Sequence, residues 1–217
     1  MKLSPKVILA IAIGALCGCG ATDVVLTNED LSLRAETGIE ETFLLEMKQA
    51  GRNLRQLEGV DSEGNATKVR GVTIDVPHDR SLTVVSSLAR LAPPEVVVFV
   101  SERHFGMGEE PDRVSAMKTS DPFESLRAMG TNGWNYDISP EMIIARLRQW
   151  DAIFGLSLRG VAFDWVEAEF ETHPRDMLAF AREVYEFCPD VVDQGTETVE
   201  ALADEMRRSN VLYLWWD

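Results

Sequence analysis

The stretch Glu95-Val96-Val97-Val98-Phe99-Val100-Ser101 decides the fold of this chain. It is a nearly continuous apolar run, and such runs are typical of strands that are buried on both faces of a sheet. The last segment, residues 211–217, is also apolar on both faces. We therefore predict that both segments are strands, and that the terminal one lies in the interior of a sheet.

Helical and extended patterns alternate on either side of this stretch. Helices are predicted over residues 28–50 (ending at Gly51), from Asp79 to Leu91, from Asp121-Pro122-Phe123-Glu124 onward, and over residues 139–154, 174–188 and 197–208. Strands are predicted over residues 53–60, 68–76, 95–101, 112–119, 161–170 and 211–217. This interleaving predicts an α/β or α+β fold, in which helices cover a mixed sheet in one compact unit of two parts.

The N-terminus predicts an export signal followed by a lipid anchor. Lys2 and Lys6 precede an apolar run over residues 7–16, which is shorter than the about 20 residues that a bilayer span needs. The run ends in Leu16-Cys17-Gly18-Cys19, which resembles the lipobox of bacterial lipoprotein precursors. The resemblance implies that cleavage precedes Cys19 and that the thiol and the new amino group of Cys19 carry acyl chains.

These patterns divide the chain into four segments. Residues 1–18 are the predicted lipoprotein signal peptide, and residues 19–26 are a short tether. An N-terminal α/β part over residues 27–112 and a C-terminal domain over residues 113–217 follow, with the charged, glycine-rich loop around residues 103–112 between them. The anchor predicts a place on the cell membrane or the outer membrane, facing the periplasm or the exterior.

The charge of the chain excludes one class of partner. The formal net charge is −15, and removal of residues 1–18 takes it to −17 because two lysines and no acidic residue are lost. Binding to nucleic acid needs patches of lysine and arginine on the phosphates, so we expect no nucleic-acid partner.

Cleavage would leave Cys19, which is acylated, and Cys188. No intramolecular disulfide is then expected.

The C-terminal domain resembles a bacterial family of unknown function, the domain-of-unknown-function family 4253. The resemblance covers the chain from about Val114 onward. The segments that carry it are Lys118-Thr119-Ser120-Asp121, Leu126-Arg127, Thr131-Asn132-Gly133, Asn135-Tyr136, Phe187-Cys188-Pro189-Asp190, Gln194-Gly195 and Trp215-Trp216-Asp217. The resemblance implies a domain and no particular chemistry, because the family has no established activity.

Two polar loops, residues 131–137 and 189–195, are the candidate recognition segments. We predict that their polar side chains form one surface or pocket near the carboxyl end of the final strand. These side chains are those of Asn132, Asn135, Tyr136, Asp190 and Gln194. The alternative is local: Asn and Asp cap helices, and Gln194 hydrogen-bonds to backbone.

Cysteine and histidine offer little chemistry in this sequence. Cys188 lies on the apolar stripe of its predicted helix, near the negative end of the helix dipole, where a thiolate is disfavoured. We therefore interpret Cys188 as a buried structural thiol rather than the nucleophile of a pair with His173. The histidines at 78, 104 and 173 lack the spacing of a zinc site, and we interpret them as surface or capping residues.

Glu167, Glu169 and Glu171 alternate along one predicted strand, so their carboxylates share a face. Such a face could hold a hard cation, since calcium is bound by several oxygen ligands. Three like charges without an accompanying loop of glycine and asparagine are more typical of a solvated strand end. We therefore predict no metal at this position.

The predicted function is a membrane-tethered binding or interaction module. Its expected partners are the membrane, through the N-terminal lipid, and a protein or a small polar ligand, and no cofactor is expected. The alternative is a hydrolase that uses Asp190, Gln194 and Asp217 around an enclosed pocket. A deep pocket whose carboxyl groups have raised pKa values would favour the hydrolase.

Overall fold

The structure is a computed structural model that describes residues 24–61, 65–104 and 110–217. The predicted signal peptide and the anchor at Cys19 lie outside the described residues. In the part of the chain that is described, no helix has both the length and the apolar character needed to cross a membrane.

The described chain folds into helices and strands that alternate along the sequence. The helices are α1 (Asn28–Thr37), α2 (Glu41–Ala50), α3 (Ser81–Leu91), α4 (Glu124–Met129), α5 (Pro140–Phe154), α6 (Met177–Phe187) and α7 (Val199–Ser209). The strands are β1 (Arg52–Val60), β2 (Ala66–Val76), β3 (Val96–Glu102), β4 (Asp112–Lys118), β5 (Leu156–Val161), β6 (Trp165–Phe170) and β7 (Val211–Trp215). Short helical turns lie at His78–Arg80, Trp134–Tyr136 and Val191–Thr196.

One mixed sheet contains all seven of these strands, in the order β1-β2-β4-β3-β5-β6-β7. β3 and β5 are parallel, and every other neighbouring pair is antiparallel. The predicted α/β fold with a mixed sheet covered by helices is thereby confirmed. Because β4 lies between β2 and β3, the segments before and after residue 112 contribute to the same sheet.

Helices cover the two faces of the sheet in two groups. On one face, α1, α2 and α3 pack their apolar side chains against β2, β3 and β4, and Met47, Leu88 and Ile74 belong to the buried cluster between them. On the other face, α4 to α7 pack against β5, β6 and β7, and Trp150 is completely enclosed. Burial of apolar area on both faces is the main source of stability for such a layered fold.

Side-chain caps fix several of the helix starts. The Ser139 hydroxyl accepts a hydrogen bond from the backbone of Met142, and Pro140 follows at the first helical position of α5, as the sequence predicts. Thr27 and Asp30 form a reciprocal capping box at α1. The first described helix therefore begins directly after Thr27.

Residues 28–50 form two helices, so the prediction of one continuous helix is wrong. Gly38 ends α1 in the left-handed conformation with φ of 73°, which glycine adopts without steric cost. Ile39 is then buried in the break. The chain turns between α1 and α2, so both helices reach the same face of the sheet.

Residues 161–170 do not form one strand as predicted, because β5 and β6 are paired in a hairpin. The turn is closed by the backbone of Ala162, which donates to the carbonyl of Trp165 at 3.0 Å. A Cβ on Gly160 would lie 2.2 Å from the Trp165 ring, so the hairpin needs glycine at this position. Periodicity alone did not separate two short apolar strands from one longer strand.

The terminal strand β7 lies at an edge of the sheet, so the prediction that it is interior is wrong. Both faces of β7 are apolar for a reason other than an interior position in the sheet. Leu212 and Leu214 point into the core beneath α6 and α7. On the other face, Tyr213 stacks on Trp165 with ring centroids 6.1 Å apart.

Three helix starts differ slightly from their predicted positions. The turn at His78–Arg80 precedes α3, which begins at Ser81 rather than at Asp79. Asp121 accepts a hydrogen bond from the backbone of Phe123, but α4 begins only at Glu124. For α6 the cap is Asp176, whose side chain accepts from Ala179 at 2.9 Å.

Candidate functional site

The loops 131–137 and 189–195 meet at the carboxylate of Asp190. The Tyr136 hydroxyl donates to Asp190 Oδ1 at 2.5 Å, and Gln194 Nε2 donates to the same oxygen at 3.0 Å. The backbone N–H of Asp217 donates to Asp190 Oδ2 at 2.9 Å. We call Tyr136, Asp190, Gln194 and Asp217 the Asp190 network. It joins both candidate loops to the C-terminus of the chain.

Burial and hydrogen bonding act in opposite directions on the Asp190 carboxyl. Only 2% of Asp190 is exposed. This burial by itself would raise the pKa of Asp190, but the hydrogen bonds from Tyr136, Asp217 and Gln194 outweigh it and lower the pKa below its usual value. The hydrogen bond to this carboxylate and partial burial raise the pKa of Tyr136 to about 12, so the phenol remains a donor.

This arrangement suits a structural carboxylate better than a general base. Both oxygens of Asp190 already accept hydrogen bonds from protein donors. A carboxyl group with a lowered pKa also holds a proton poorly, whereas an acid or base in catalysis needs a pKa near the working pH. The geometry of Asp190 therefore gives no support to the alternative of a hydrolase.

Asn135 and Asn132 lie on the same loop but have different partners. The Asn135 side chain donates to the backbone carbonyl of Asp217, next to the Asp190 network. The Asn132 side chain donates to the carbonyl of Gly130, and its backbone N–H donates to the carbonyl of Phe163. Of the five predicted residues, the structure thus brings together four, and Asn132 instead ties the loop to the β5–β6 turn.

The end of the chain is held between the two loops. Trp216 is buried and packs edge-on against Phe187, with centroids 5.9 Å apart. A Cβ on Gly133 would lie 2.8 Å from the Trp216 ring, so this position of loop 131–137 has no room for a side chain. Loop 131–137 is also closed on itself by a bridge between Gly133 and Ile138. Its backbone is therefore fixed by contacts at both of its ends.

Three aromatic side chains, on this loop and in the β5–β6 turn, are exposed to solvent. Trp134 is 85% exposed, Phe163 in the β5–β6 turn is 52% exposed and Tyr136 is 38% exposed. We call these three residues the aromatic surface. The turn that carries Phe163 is joined to loop 131–137 by the hydrogen bond from the Asn132 N–H to the Phe163 carbonyl at 2.9 Å. Exposed apolar area of this kind is typical of interaction sites.

Three aspartates adjoin the aromatic surface, either as sequence neighbours or through a hydrogen bond. Asp137 follows Tyr136 directly and is exposed. Asp217 is joined to Asn135, and Asp164 lies in the turn beside Phe163. Burial and the neighbouring Asp217 raise the pKa of Asp164. The surroundings of Trp134 are therefore acidic as well as aromatic.

Cys188 is buried, as the sequence predicts, and it contacts the outer edge of β7. Its Sγ lies 3.0 Å from the carbonyl oxygen of Trp215 and 3.3 Å from the Trp215 nitrogen. Burial raises the pKa of the Cys188 thiol to about 12. A protonated, enclosed thiol is a poor nucleophile, and its hydrogen bonds satisfy backbone groups that the edge strand would otherwise leave open.

The prediction that Glu167 belongs to a solvated strand end is wrong. Glu167 is buried and pairs with Arg103 at 2.6 Å, and the Arg103 guanidinium lies 5.1 Å from the centre of the Trp165 ring. Glu169 is half-buried and pairs with Arg159, whereas Glu171 is exposed. The sequence did not indicate the ion pair of Arg103 and Glu167, because these residues belong to segments far apart in the chain.

The described residues include no group of three His, Cys, Asp or Glu side chains that could hold a metal ion. His173 pairs with Asn210, and His104 contacts Glu102 and Glu110. His78 contacts the buried Asp112. The three histidine side chains thus have separate partners in the part of the chain that the structure describes.

Comparison with known proteins found one similarity, in the C-terminal part of the chain. The family model described as "Domain of unknown function (DUF4253)" matches residues 113–217, which confirms the resemblance carried by the sequence motifs. Neither the curated proteins nor the solved structures gave a match to the chain. The family description assigns no activity, so the function has to be argued from the geometry.

Proposed function

We propose that this chain, whose residues 113–217 match the DUF4253 family model, is a membrane-tethered binding module. Its recognition site in this proposal is the aromatic surface of Trp134, Tyr136 and Phe163. The partner is a protein segment that carries arginine or lysine side chains.

One observation carries the proposal: Trp134 is 85% exposed on a loop whose backbone is held by the Asp190 network and by Trp216. An indole ring in water is a large apolar area without a packing role. At interfaces, tryptophan and tyrosine are enriched among the residues that contribute most of the binding energy. A ring on a rigid loop also loses little conformational entropy on binding, which strengthens binding further.

The charges around the ring select the class of partner. Asp137, Asp164 and Asp217 lie near the aromatic surface, and the chain as a whole carries a formal charge of −15. Cationic side chains bind over the faces of tryptophan and tyrosine rings, and arginine does so more often than lysine. A cationic segment would therefore gain both the ring contact and the attraction of the carboxylates.

The tether belongs to the same proposal. Acylation of Cys19 would hold the protein on the cell membrane or the outer membrane, facing the periplasm or the exterior. Residues 20–26 separate Cys19 from Thr27, the capping residue of α1. A fully extended chain of this length spans at most about 25 Å, so the domain would stay close to the lipid surface.

A binding experiment with defined peptides tests the recognition site. A labelled hexapeptide of alternating glycine and arginine, its lysine counterpart and its glutamate counterpart are titrated with the full chain, and fluorescence anisotropy gives the affinity. The comparison is between wild type and Trp134→Ala. This substitution leaves the net charge unchanged, so bulk electrostatic attraction to the acidic chain is the same for both proteins.

The expected result is saturable binding of the arginine peptide that Trp134→Ala weakens about tenfold or more. Ile153→Ala is the matched control, because Ile153 is also exposed but lies at the far end of α5, and it should leave the affinity unchanged. Equal affinity of wild type and Trp134→Ala would overturn the proposal. So would equal binding of the glutamate peptide.

Incorporation of labelled fatty acid tests the tether separately. Wild type should be labelled, Cys19→Ala should not, and Cys17→Ala should be labelled like wild type because Cys17 lies within the cleaved segment. Labelling of Cys19→Ala would refute the anchor without affecting the recognition site.

A further inference from the structure

A cleft of about 640 Å³ opens at one end of the sheet, in the N-terminal part of the chain. It lies where β1 begins and β2 ends, and where the chain enters β4. Its walls include Arg52, Asn53, Asp75, His78 and Arg80. The volume is in the range of sites for small molecules, which is about 300–1,000 Å³.

The two arginines of the cleft have no ion-pair or hydrogen-bond partner for their guanidinium groups among the described residues. Both side chains belong to exposed residues, Arg52 at the start of β1 and Arg80 in the turn before α3. Arginine presents a planar fork of donors that matches the two oxygens of a carboxylate or a phosphate. The cleft therefore has two guanidinium groups that can bind an anionic ligand.

One of the two carboxylates that line the cleft, that of Asp75, is already neutralised by an arginine outside the lining. Asp75 accepts from Arg55 at 2.8 Å and from Asn53 at 2.7 Å. Burial alone would raise the pKa of Asp75, but these two partners lower it below its usual value, so the group stays ionised within its pairs. Glu110, the other carboxylate of the lining, is 76% exposed and lies 3.3 Å from the His104 ring. With Asp75 matched by Arg55, the two guanidinium charges of the cleft outnumber the one remaining carboxylate, within a chain whose formal net charge is −15.

His78 adds a third polar group with a fixed orientation. Its Nδ1 lies 3.1 Å from Oδ2 of Asp112, a carboxylate that is completely buried and also accepts from the backbone of His104 at 3.0 Å. A carboxylate partner places the ring proton on Nδ1. The opposite nitrogen, Nε2, has no partner in the described ranges and is available for a hydrogen bond with a ligand.

The backbone around Arg52 is held in an unusual conformation. Asn53 has φ of 53°, in the left-handed region, at a register shift between β1 and β2. A Cβ on the preceding Gly51 would lie 2.7 Å from the carbonyl oxygen of Asp75. Such conformations persist only where the surroundings impose them, and they are concentrated at binding and active sites. They fix where the Arg52 side chain leaves the strand.

We infer that this cleft binds a small anion with at least two carboxylate or phosphate groups. The forks of Arg52 and Arg80 hold one anionic group each, and the neutralised Asp75 does not repel the ligand. The site is separate from the aromatic surface, since it is built from α2, β1, β2 and the turn before α3. It does not depend on the recognition of a cationic segment.

Isothermal titration calorimetry of the full chain tests this inference with two probes, citrate and pyrophosphate, at constant ionic strength. The variants are Arg52→Gln and Arg80→Gln. Arg90→Gln is the control, because Arg90 is exposed on α3 outside the cleft and the change in net charge is the same. Thermal unfolding of each variant verifies that it is folded.

The expected result is one saturable site for at least one probe. Each cleft variant should weaken the binding of that probe about tenfold or more, because it removes charge-assisted hydrogen bonds to the anion. Arg90→Gln should leave the affinity unchanged. Binding of citrate alone identifies carboxylates as the ligand class, and binding of pyrophosphate alone identifies phosphates. No saturable binding of either probe, or an equal loss in Arg90→Gln, would overturn the inference.

Discussion

The Tyr136 hydroxyl donates a 2.5 Å hydrogen bond to the buried carboxylate of Asp190, and this contact joins two loops that are 54 residues apart in the sequence. Asp190 also accepts from Gln194 and from the backbone of Asp217. One carboxylate thereby positions the loop that presents Trp134 to solvent. The rigidity of the proposed recognition site depends on this contact.

Replacement of the carboxylate should destabilise the fold. Asp190→Asn keeps the size of the side chain but turns an amide N–H₂ toward donors that need an acceptor. We expect a loss of about 1.5–3 kcal/mol in the free energy of unfolding, the range for hydrogen bonds to charged groups, measured by urea denaturation. Asp193→Asn is the control, because Asp193 is exposed, and it should cost less than about 1 kcal/mol.

The contribution of Asp190 to the free energy of unfolding should depend on pH. Its pKa is lower in the folded chain than its usual value, so its stabilising effect is fully present above the unfolded pKa of about 4 and is lost as the pH falls through the folded pKa. The difference in unfolding free energy between wild type and Asp190→Asn should therefore be smaller at pH 3 than at pH 7. A difference that is the same at both pH values would show that the charge of Asp190 contributes nothing.

Cys188 should behave as an enclosed thiol. Because burial raises its pKa to about 12, a thiol reagent should modify it far more slowly in the folded chain than in denaturant, as measured by mass spectrometry of the peptide that contains it. Cys188→Ala should cost about 1–2 kcal/mol through a small cavity and the lost contacts to Trp215. Rapid labelling of the folded chain would refute the structural role and would make Cys188 a candidate nucleophile.

The buried pair of Arg103 and Glu167 should tolerate joint replacement better than the loss of one partner. Glu167→Ala removes the carboxylate from a buried guanidinium, and breaking a buried pair in this way costs about 3–5 kcal/mol. Arg103→Met combined with Glu167→Leu removes both charges and should recover most of that loss in urea denaturation. A double variant as unstable as Glu167→Ala would mean that the pair itself is not the cause.

The sequence predicted those features that depend on neighbouring residues. The start of α5 follows from Ser139 and Pro140, and the burial of Cys188 follows from its position on an apolar stripe. Features that depend on distant residues were not predicted. Glu167 resembles a surface residue until Arg103, from the end of β3, is placed beside it.

The edge position of β7 and the cleft at the start of β1 were not predicted, for the same reason. β7 is apolar on both faces because Trp165 stacks on Tyr213, a contact that its own sequence does not contain. In the cleft, Arg52 and His78 are brought together by the pairing of β1 with β2, and Asp112 reaches His78 from β4. His78 is exposed, in agreement with its interpretation as a surface residue, but its contact with the buried Asp112 could not be predicted.

The most direct test of the proposed function follows the indole of Trp134 itself. In ¹⁵N-labelled full chain, the Trp134 Nε1–H resonance is assigned as the indole signal that disappears in Trp134→Phe. The alternating glycine–arginine hexapeptide is then titrated into wild type. The account predicts that this signal shifts in a saturable way, while the indole signal of the enclosed Trp150 stays in place. A Trp134 signal that is unmoved at saturating peptide would contradict it.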